Sequence, residues 1–221
     1  MASCKPLLTH PPTHTIILTP KPNHLVLNTT ATLSHTTPLP PGTTRPQALA
    51  LLSDHLFFLA CDPHMAQHEL VPPSAFATLT PPPSIPDDVR AQLRPPPESA
   101  GKGVEGKEEE EVLPTCYRVT DIVHAIPAGI WDTRVVSVYE FTLIGEGVFV
   151  RIRSPMGVVM ETFWRVRDGE QGEGLVLVED VTIRCSRLLV GIVRGQCEGN
   201  WRGIHGKVVE RLEKELEGEG K

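Results

Sequence analysis

The chain is poor in the features that would announce a chemistry directly. Aromatic residues fill only 5% of 221 positions, among them three Trp and two Tyr, so each buried ring carries a large share of any core. No apolar run approaches the roughly 18 residues of a membrane-spanning helix, so no span is expected. No basic stripe of the kind that tracks a phosphate backbone is present, and nucleic acid is not an expected partner. The formal net charge is -6. Most of it sits between Glu98 and Glu111 and from Glu210 to Lys221, where it serves solubility. The patterns G-x-S-x-G, Walker A, G-x-G-x-x-G on a strand–helix turn and H-E-x-x-H are all missing, so no cofactor is expected. Cysteine is sparse and odd in number (Cys4, Cys61, Cys116, Cys185, Cys197), without C-x-x-C spacing. That argues against a disulfide framework or zinc knuckle and for a reducing compartment. With no hydrophobic h-region in Met1–Lys21, a cytoplasmic site is the expectation.

Proline, by contrast, is abundant and clustered. Of 22 prolines, nine lie within residues 1–46 and nine between Pro72 and Pro97. Residues 1–23 therefore read as a disordered segment. Residues 72–114, with Pro81–Pro83, Pro95–Pro97 and a Gly/Lys/Glu tract, read as an irregular insertion too poor in apolar area to offset its ordering entropy. One domain over residues 24–217, interrupted by that insertion and followed by a tail at 218–221, remains.

The organising element is its C-terminal stretch. Leu189, Val193, Cys197, Trp201, Ile204, Val208, Leu212 and Leu216 recur at helical spacing and predict one long helix over Ser186–Leu216, with Ser186 as N-cap. Gly191, Gly195, Gly199 and Gly203 fall on the opposite side, as either a close-packing ridge or a solvated face. Upstream, Leu25–Thr36 is β-rich. Thr43 or Thr44 caps a helix carrying Leu49, Leu52, Leu56 and Leu59, and His68–Val71 is a further short strand. Five β segments then follow at Thr115–Ala125, Thr133–Leu143, Val148–Arg153, Val158–Arg167 and Leu175–Cys185. In the third, alternation sends Val148, Val150 and Ile152 inward and Arg151 and Arg153 to water. The order predicts an α+β fold: a curved antiparallel sheet of six or seven strands wrapped on the terminal helix.

This order, with Thr37-Pro-Leu-Pro-Pro-Gly42, Tyr117-Arg-Val-Thr-Asp121, Ala125-Ile-Pro-Ala-Gly129 and Val178-Glu-Asp-Val-Thr-Ile-Arg-Cys185, resembles the START-like (helix-grip, SRPBCC) superfamily. Within it the closer likeness is to an uncharacterised fungal family catalogued as a domain of unknown function. The resemblance implies a cavity between sheet and terminal helix. It transfers no catalytic residue, because the family has no agreed ones.

The candidates facing such a cavity are Tyr139, Phe141, Val150, Met160 and Trp164 from the strands, and Val193, Cys197 and Trp201 from the helix. Glu179 and Asp121 alternate with apolar residues and point the same way, as acid/base candidates or as structural carboxylates paired with Arg118 or Arg184. His124 and His205 are candidate proton shuttles, with ordinary surface roles the bland expectation. His64 and His68 have the i, i+4 spacing of a helical metal pair but lack a third ligand, so no metal is expected. The leading functional expectation is non-catalytic binding of an apolar small molecule such as a lipid, sterol or polyketide. The alternatives are a cyclase or dehydratase acting on a polyketide-like substrate, and an interaction module using the Pro-rich and acidic segments. Limited proteolysis is expected to cut first within Lys102–Glu111; a first cut inside Val148–Val166 would contradict this organisation.

Overall fold

The computed structural model describes residues 28–94, 112–124, 132–172 and 174–219. Its elements are β1 (Asn28–Pro38), α1 (Arg45–Ser53), α2 (His55–Cys61), β2 (Met65–Val71), α3 (Asp87–Arg90), β3 (Thr115–His124), β4 (Asp132–Ile144), β5 (Gly147–Ser154), β6 (Val158–Asp168), β7 (Leu175–Ser186) and α4 (Arg187–Glu219). The fold is α+β: a seven-stranded antiparallel curved sheet in the order β1-β7-β6-β5-β4-β3-β2, closed over α4 in the helix-grip manner. Every step from β3 to β7 joins neighbours, so the long-range step is the one from β1 to β2, which lie at opposite edges. The α1–α2 hairpin makes that crossing over the inner face.

Local chemistry accounts for the hairpin. Thr44 caps α1, its hydroxyl and backbone N–H forming a capping box with Gln47. The leucine pattern predicts one helix here, and the structure breaks it at Asp54. This residue ends α1 and restarts the chain as the N-cap of α2, its carboxylate accepting the Phe57 N–H at 3.0 Å. The break leaves Leu56 exposed and turns Phe58 and Leu59 onto the sheet. From α4, Lys207 Nζ donates to the carbonyls of Ala60 and Cys61 and holds the end of α2.

The inner face follows the period-2 pattern. Val148, Val150, Trp164, Val166 and Leu177 are buried on it, with Leu51 and Leu52 of α1 and Val208 and Leu212 of α4. At the β4–β5 turn, Gly147 has no alternative. A Cβ there would stand 1.9 Å from the Trp164 carbonyl oxygen. The glycines at 191, 195, 199 and 203 meet nothing among the described residues, so this side of α4 is a solvated face and not a packing ridge.

The outer face departs from expectation. Arg151 and Arg153 do not face water. Arg151 lies between Glu161 at 3.0 Å and Glu140 at 3.4 Å, and Arg153 Nε bonds the other Glu140 oxygen at 2.5 Å. The cause is the segment after β2. Residues 72–94 do not hang free; they lie across the outer face of β4, β5 and β6. Phe76 packs with Val71 and Cys116, while Ile85 and Val89 pack on Ile144 and Phe149. The Ser84 carbonyl accepts from Arg151, and Gly145 N–H bonds the Gln92 carbonyl at 2.8 Å. Thus a handful of well-spaced apolar side chains suffices to order a proline-rich strap, even though its mean composition argues against it. Residues 95–111, including Pro95–Pro97 and most of the acidic tract, lie outside the described residues.

Glu140 is 1% exposed and answers both arginines. Glu140→Ala leaves two covered guanidiniums without it, and about 3 kcal/mol of stability should be lost, read as a lower denaturant midpoint. An unchanged midpoint would mean that the strap does not seal this network.

Candidate functional site

The helix α4 has two halves. Val208 and Leu212 are almost wholly buried against α1, α2 and the sheet, whereas Leu189, Val193 and Cys197 are only partly covered. The N-terminal half packs on β7 through Leu189, Val193 and Cys197 but does not fill the space over the sheet, leaving a cavity of about 290 Å³. Its walls include Val135, Ile152, Val158, Val181, Leu189 and Val193. A second space of about 80 Å³ lies deeper, towards Phe58, Val119 and Trp164, and shares Tyr139, Ile152, Met160, Glu179 and Ile204 with the first. Met156 and Ile192, both exposed, stand at the rim. Met156 adopts φ 60° in the β5–β6 turn, an uncommon conformation for a non-glycine residue.

Of the residues predicted to face this space, Tyr139, Met160, Glu179, Val193, Cys197 and Trp201 line the larger cavity, and Val150 and Trp164 line the smaller. Phe141 lines neither. The α2 helix covers it, with His55 stacked on its ring at 4.5 Å and Phe58 edge-on at 6.0 Å. His124 and Trp131 have side chains outside the described residues. His205 is corrected outright. It is 1% exposed, not a surface residue, because it follows Trp201 by four positions on the inward stripe of α4. The neighbouring charged residues, Arg202 and Lys207, point elsewhere on the helix wheel.

Besides Ser137, Ser154, Gln196 and Asn200, two clusters of ionisable residues interrupt the apolar lining. At the first, Glu179 Oε2 lies 2.8 Å from His35 Nδ1 and 3.5 Å from His205 Nε2. His205 Nδ1 in turn meets the Thr37 hydroxyl at 2.7 Å. Trp201 stacks flat on His35, centroids 4.6 Å apart, and lies edge-on to His205 at 5.3 Å. Strands β1 and β7 and helix α4 each supply a part. The register makes it local, since His35 pairs directly with Glu179. Neither Arg118 nor Arg184 serves the cavity carboxylates; they pair with Glu69 and Glu161.

At the other end, Asp121 of β3 and Asp62 and His64 from the α2–β2 turn line the same cavity. Asp121 is buried, and its Oδ1 has no hydrogen-bond partner. Its Oδ2 receives only a long contact of 3.5 Å from the Tyr139 hydroxyl. Burial and the nearby negative charge of Asp62 push its carboxyl up to about 6, with the Tyr139 contact and His64 acting in the opposite sense. The same burial raises Tyr139 well above the usual phenol range. Cys197, at 3.5 Å from the Met160 sulfur, is pushed up to about 12 by burial and is an apolar wall and not a nucleophile. His35 and Asp62 are the site residues that sequence reasoning missed; His205 enters there as a candidate shuttle expected at the surface, and His64 only as half of a metal pair. His35 carried a signal in its alternation with Leu33 and Thr37, and His205 in its helical spacing from Trp201.

Among the described residues, no group of three or more His, Cys, Asp or Glu side chains is placed to hold a metal ion. His64 precedes β2 and His68 lies within it, so their helical spacing has no structural counterpart. Also among the described residues, no helix is long and apolar enough to cross a membrane.

Asp121 gives a pH-dependent test. Its carboxyl holds a proton more tightly in the folded chain than in the unfolded one, where its value is near 3.8. Its contribution to stability therefore falls as pH rises from about 4 through 6 and is most unfavourable above that. Asp121→Asn should raise stability at pH 7.5 by on the order of 1–3 kcal/mol, with the gap closing by about pH 3. Equal denaturation midpoints for the two proteins at both pH values would contradict the placement of this carboxylate.

No curated protein matches the sequence. Two solved structures align over most of it at low identity. TTHA0849 from Thermus thermophilus has 17% identity and a TM-score of 0.45, with 83% of this chain and 97% of that one covered. Ara h 8.0201 has 14% identity and a TM-score of 0.44, with 83% of this chain and 99% of that one covered. The family model described as "Domain of unknown function (DUF7053)" matches residues 28–214, the whole of the sheet and nearly all of α4, and the chain belongs to that family.

Proposed function

We propose that the protein binds an apolar small molecule, of lipid, sterol or polyketide-like character, in the space between the sheet and the N-terminal half of α4. The observation that carries this is the cavity itself. At about 290 Å³ it is at the lower end of small-molecule sites, and a deeper recess adjoins it. A core meant only for stability would be packed to the density seen around Val208 and Leu212. Tyr139, Val193, Cys197 and Trp201 are the proposed contacts, and Met156 and Ile192 form the way in. Descent within the START-like superfamily, in a fungal branch of it, and a cytoplasmic site of action belong to the same reading.

A second reading is favoured by Asp121. A buried carboxylate with an unpartnered oxygen, beside a phenol, is suited to proton transfer in a cyclase or dehydratase. Glu179 is the poorer candidate, since His35 and His205 already engage it. The interaction-module alternative loses support at its first proline run. Pro83 is buried, and the run is part of the strap on the outer face.

Native mass spectrometry of the protein purified from its own host should show a mass increment from a bound molecule. Val193→Trp, which puts an indole into the cavity, should remove the increment while leaving the thermal midpoint within a few degrees. A clean apo mass, together with no thermal shift across fatty acids, sterols and aromatic polyketide analogues, would sink the binding reading.

A further inference from the structure

The cavity is lopsided in charge. Of its ionisable lining groups, three are carboxylic acids, Asp62, Asp121 and Glu179, and His64 is the single basic one; no lysine or arginine lines it among the described residues. The acids are not equivalent. Glu179 is engaged by His35 at 2.8 Å, with His205 Nε2 beside it at 3.5 Å and without a hydrogen bond. Asp62 Oδ1 accepts the His64 backbone N–H at 2.8 Å, which closes the turn into β2. Asp121 is left with one bare oxygen and one long contact, 9% exposed, at the end of an apolar chamber.

A buried carboxylate is strongly disfavoured unless something donates to it. Among the described residues no donor reaches Asp121 Oδ1, and a bound molecule can supply one. A fatty acid or other anion would bring a further negative charge beside Asp62 and Asp121, with no guanidinium or ammonium to receive it. A neutral alcohol would satisfy one lone pair but bring no positive charge to a site that holds two carboxylates and one histidine. An ammonium supplies up to three donors and the opposite charge together. The Tyr139 ring and hydroxyl stand beside the same place. Resting on the binding reading above, we infer that the ligand is an apolar amine, its hydrocarbon part between the sheet and α4 and its ammonium at Asp121, with Asp62 adding to the field.

The test is a matched set of decylamine, decan-1-ol and decanoate, titrated into the full-length protein at pH 7.5 by isothermal calorimetry. Decylamine should bind at least about tenfold more tightly than decanol, with decanoate weakest. In Asp121→Asn the advantage of the amine should fall to about threefold or less, with decanol unchanged. Equal affinities for amine and alcohol, or a preference for decanoate, would overturn the inference and leave the binding reading standing. So would an amine preference that survives in Asp121→Asn. If none of the three binds, this inference fails, and the binding reading is decided by its own mass-spectrometric test. Should Asp121→Asn not fold, the rank order in the unaltered protein decides.

Discussion

The geometry of the molecule depends on one carboxylate. Glu179 reaches from β7 to His35 on the neighbouring edge strand and to His205 on α4. Thr37 then closes the far side of His205. A helix of 33 residues laid on a sheet could slide or rotate along its apolar stripe, because aliphatic contacts are not directional. A buried polar contact is directional, and slipping α4 by one helical turn would break the 2.7 Å bond between His205 Nδ1 and the Thr37 hydroxyl. The contact sits near the middle of α4. On its C-terminal side the helix is packed into the core; on its N-terminal side it packs on β7 and roofs a cavity. Trp201, stacked on His35, marks the change from one regime to the other.

The two faces of the sheet solve the same problem differently. The inner face is apolar and covered by helices. The outer face carries Glu140, Arg151, Arg153, Glu161 and Arg184, an alternating charge ladder across β4, β5, β6 and β7. Such a ladder would ordinarily stand in water and contribute little. Here the strap over residues 72–94 covers its centre, so Glu140, Arg151, Arg153 and Glu161 form a largely buried network while Arg184 stays exposed. The apolar anchors Ile85 and Val89 hold the strap down at one end of the ladder and Phe76 at the other. The extra layer lies away from the cavity, so the sheet is stiffened without the site being closed.

Strand order, inward alternation and the terminal helix were legible because each rests on a repeating pattern. Val148, Val150 and Ile152, or Trp201 and Val208, declare a face through neighbours at regular spacing. What was not legible depends on encounters between distant segments. Arg151 reads as solvent-facing until Ser84 and Val89 arrive to cover it. His205 reads as one polar residue among charged ones until Thr37, 168 positions earlier, is found beside it. Phe141 has the right alternation for a cavity wall, yet Asp54 starts a new helix in front of it. Alternation assigns a side chain to a face; only the loop crossing that face decides whether it meets helix, strap or empty space. For the cavity itself the pattern is silent, since the same apolar stripe serves the packed half of α4 and the roof.

The contrast between Glu179 and Asp121 bears most directly on what the site can do. Both are acids on inward strand positions, and both reach the same cavity. Glu179 has His35 of β1 at 2.8 Å and His205 of α4 beside it at 3.5 Å. Asp121 has a phenol at the edge of hydrogen-bonding distance and a second acid for company. Two like groups in one cavity given opposite environments mark a division of labour between holding the fold and meeting a ligand. If Asp121 served stability alone, an asparagine or an apolar residue would serve better at no loss of shape. A bare carboxylate beside Asp62 is disfavoured in the empty cavity and becomes favourable once a donor arrives. Among the described residues, Asp121 is the acid lining the cavity that keeps a buried oxygen without a hydrogen-bond partner.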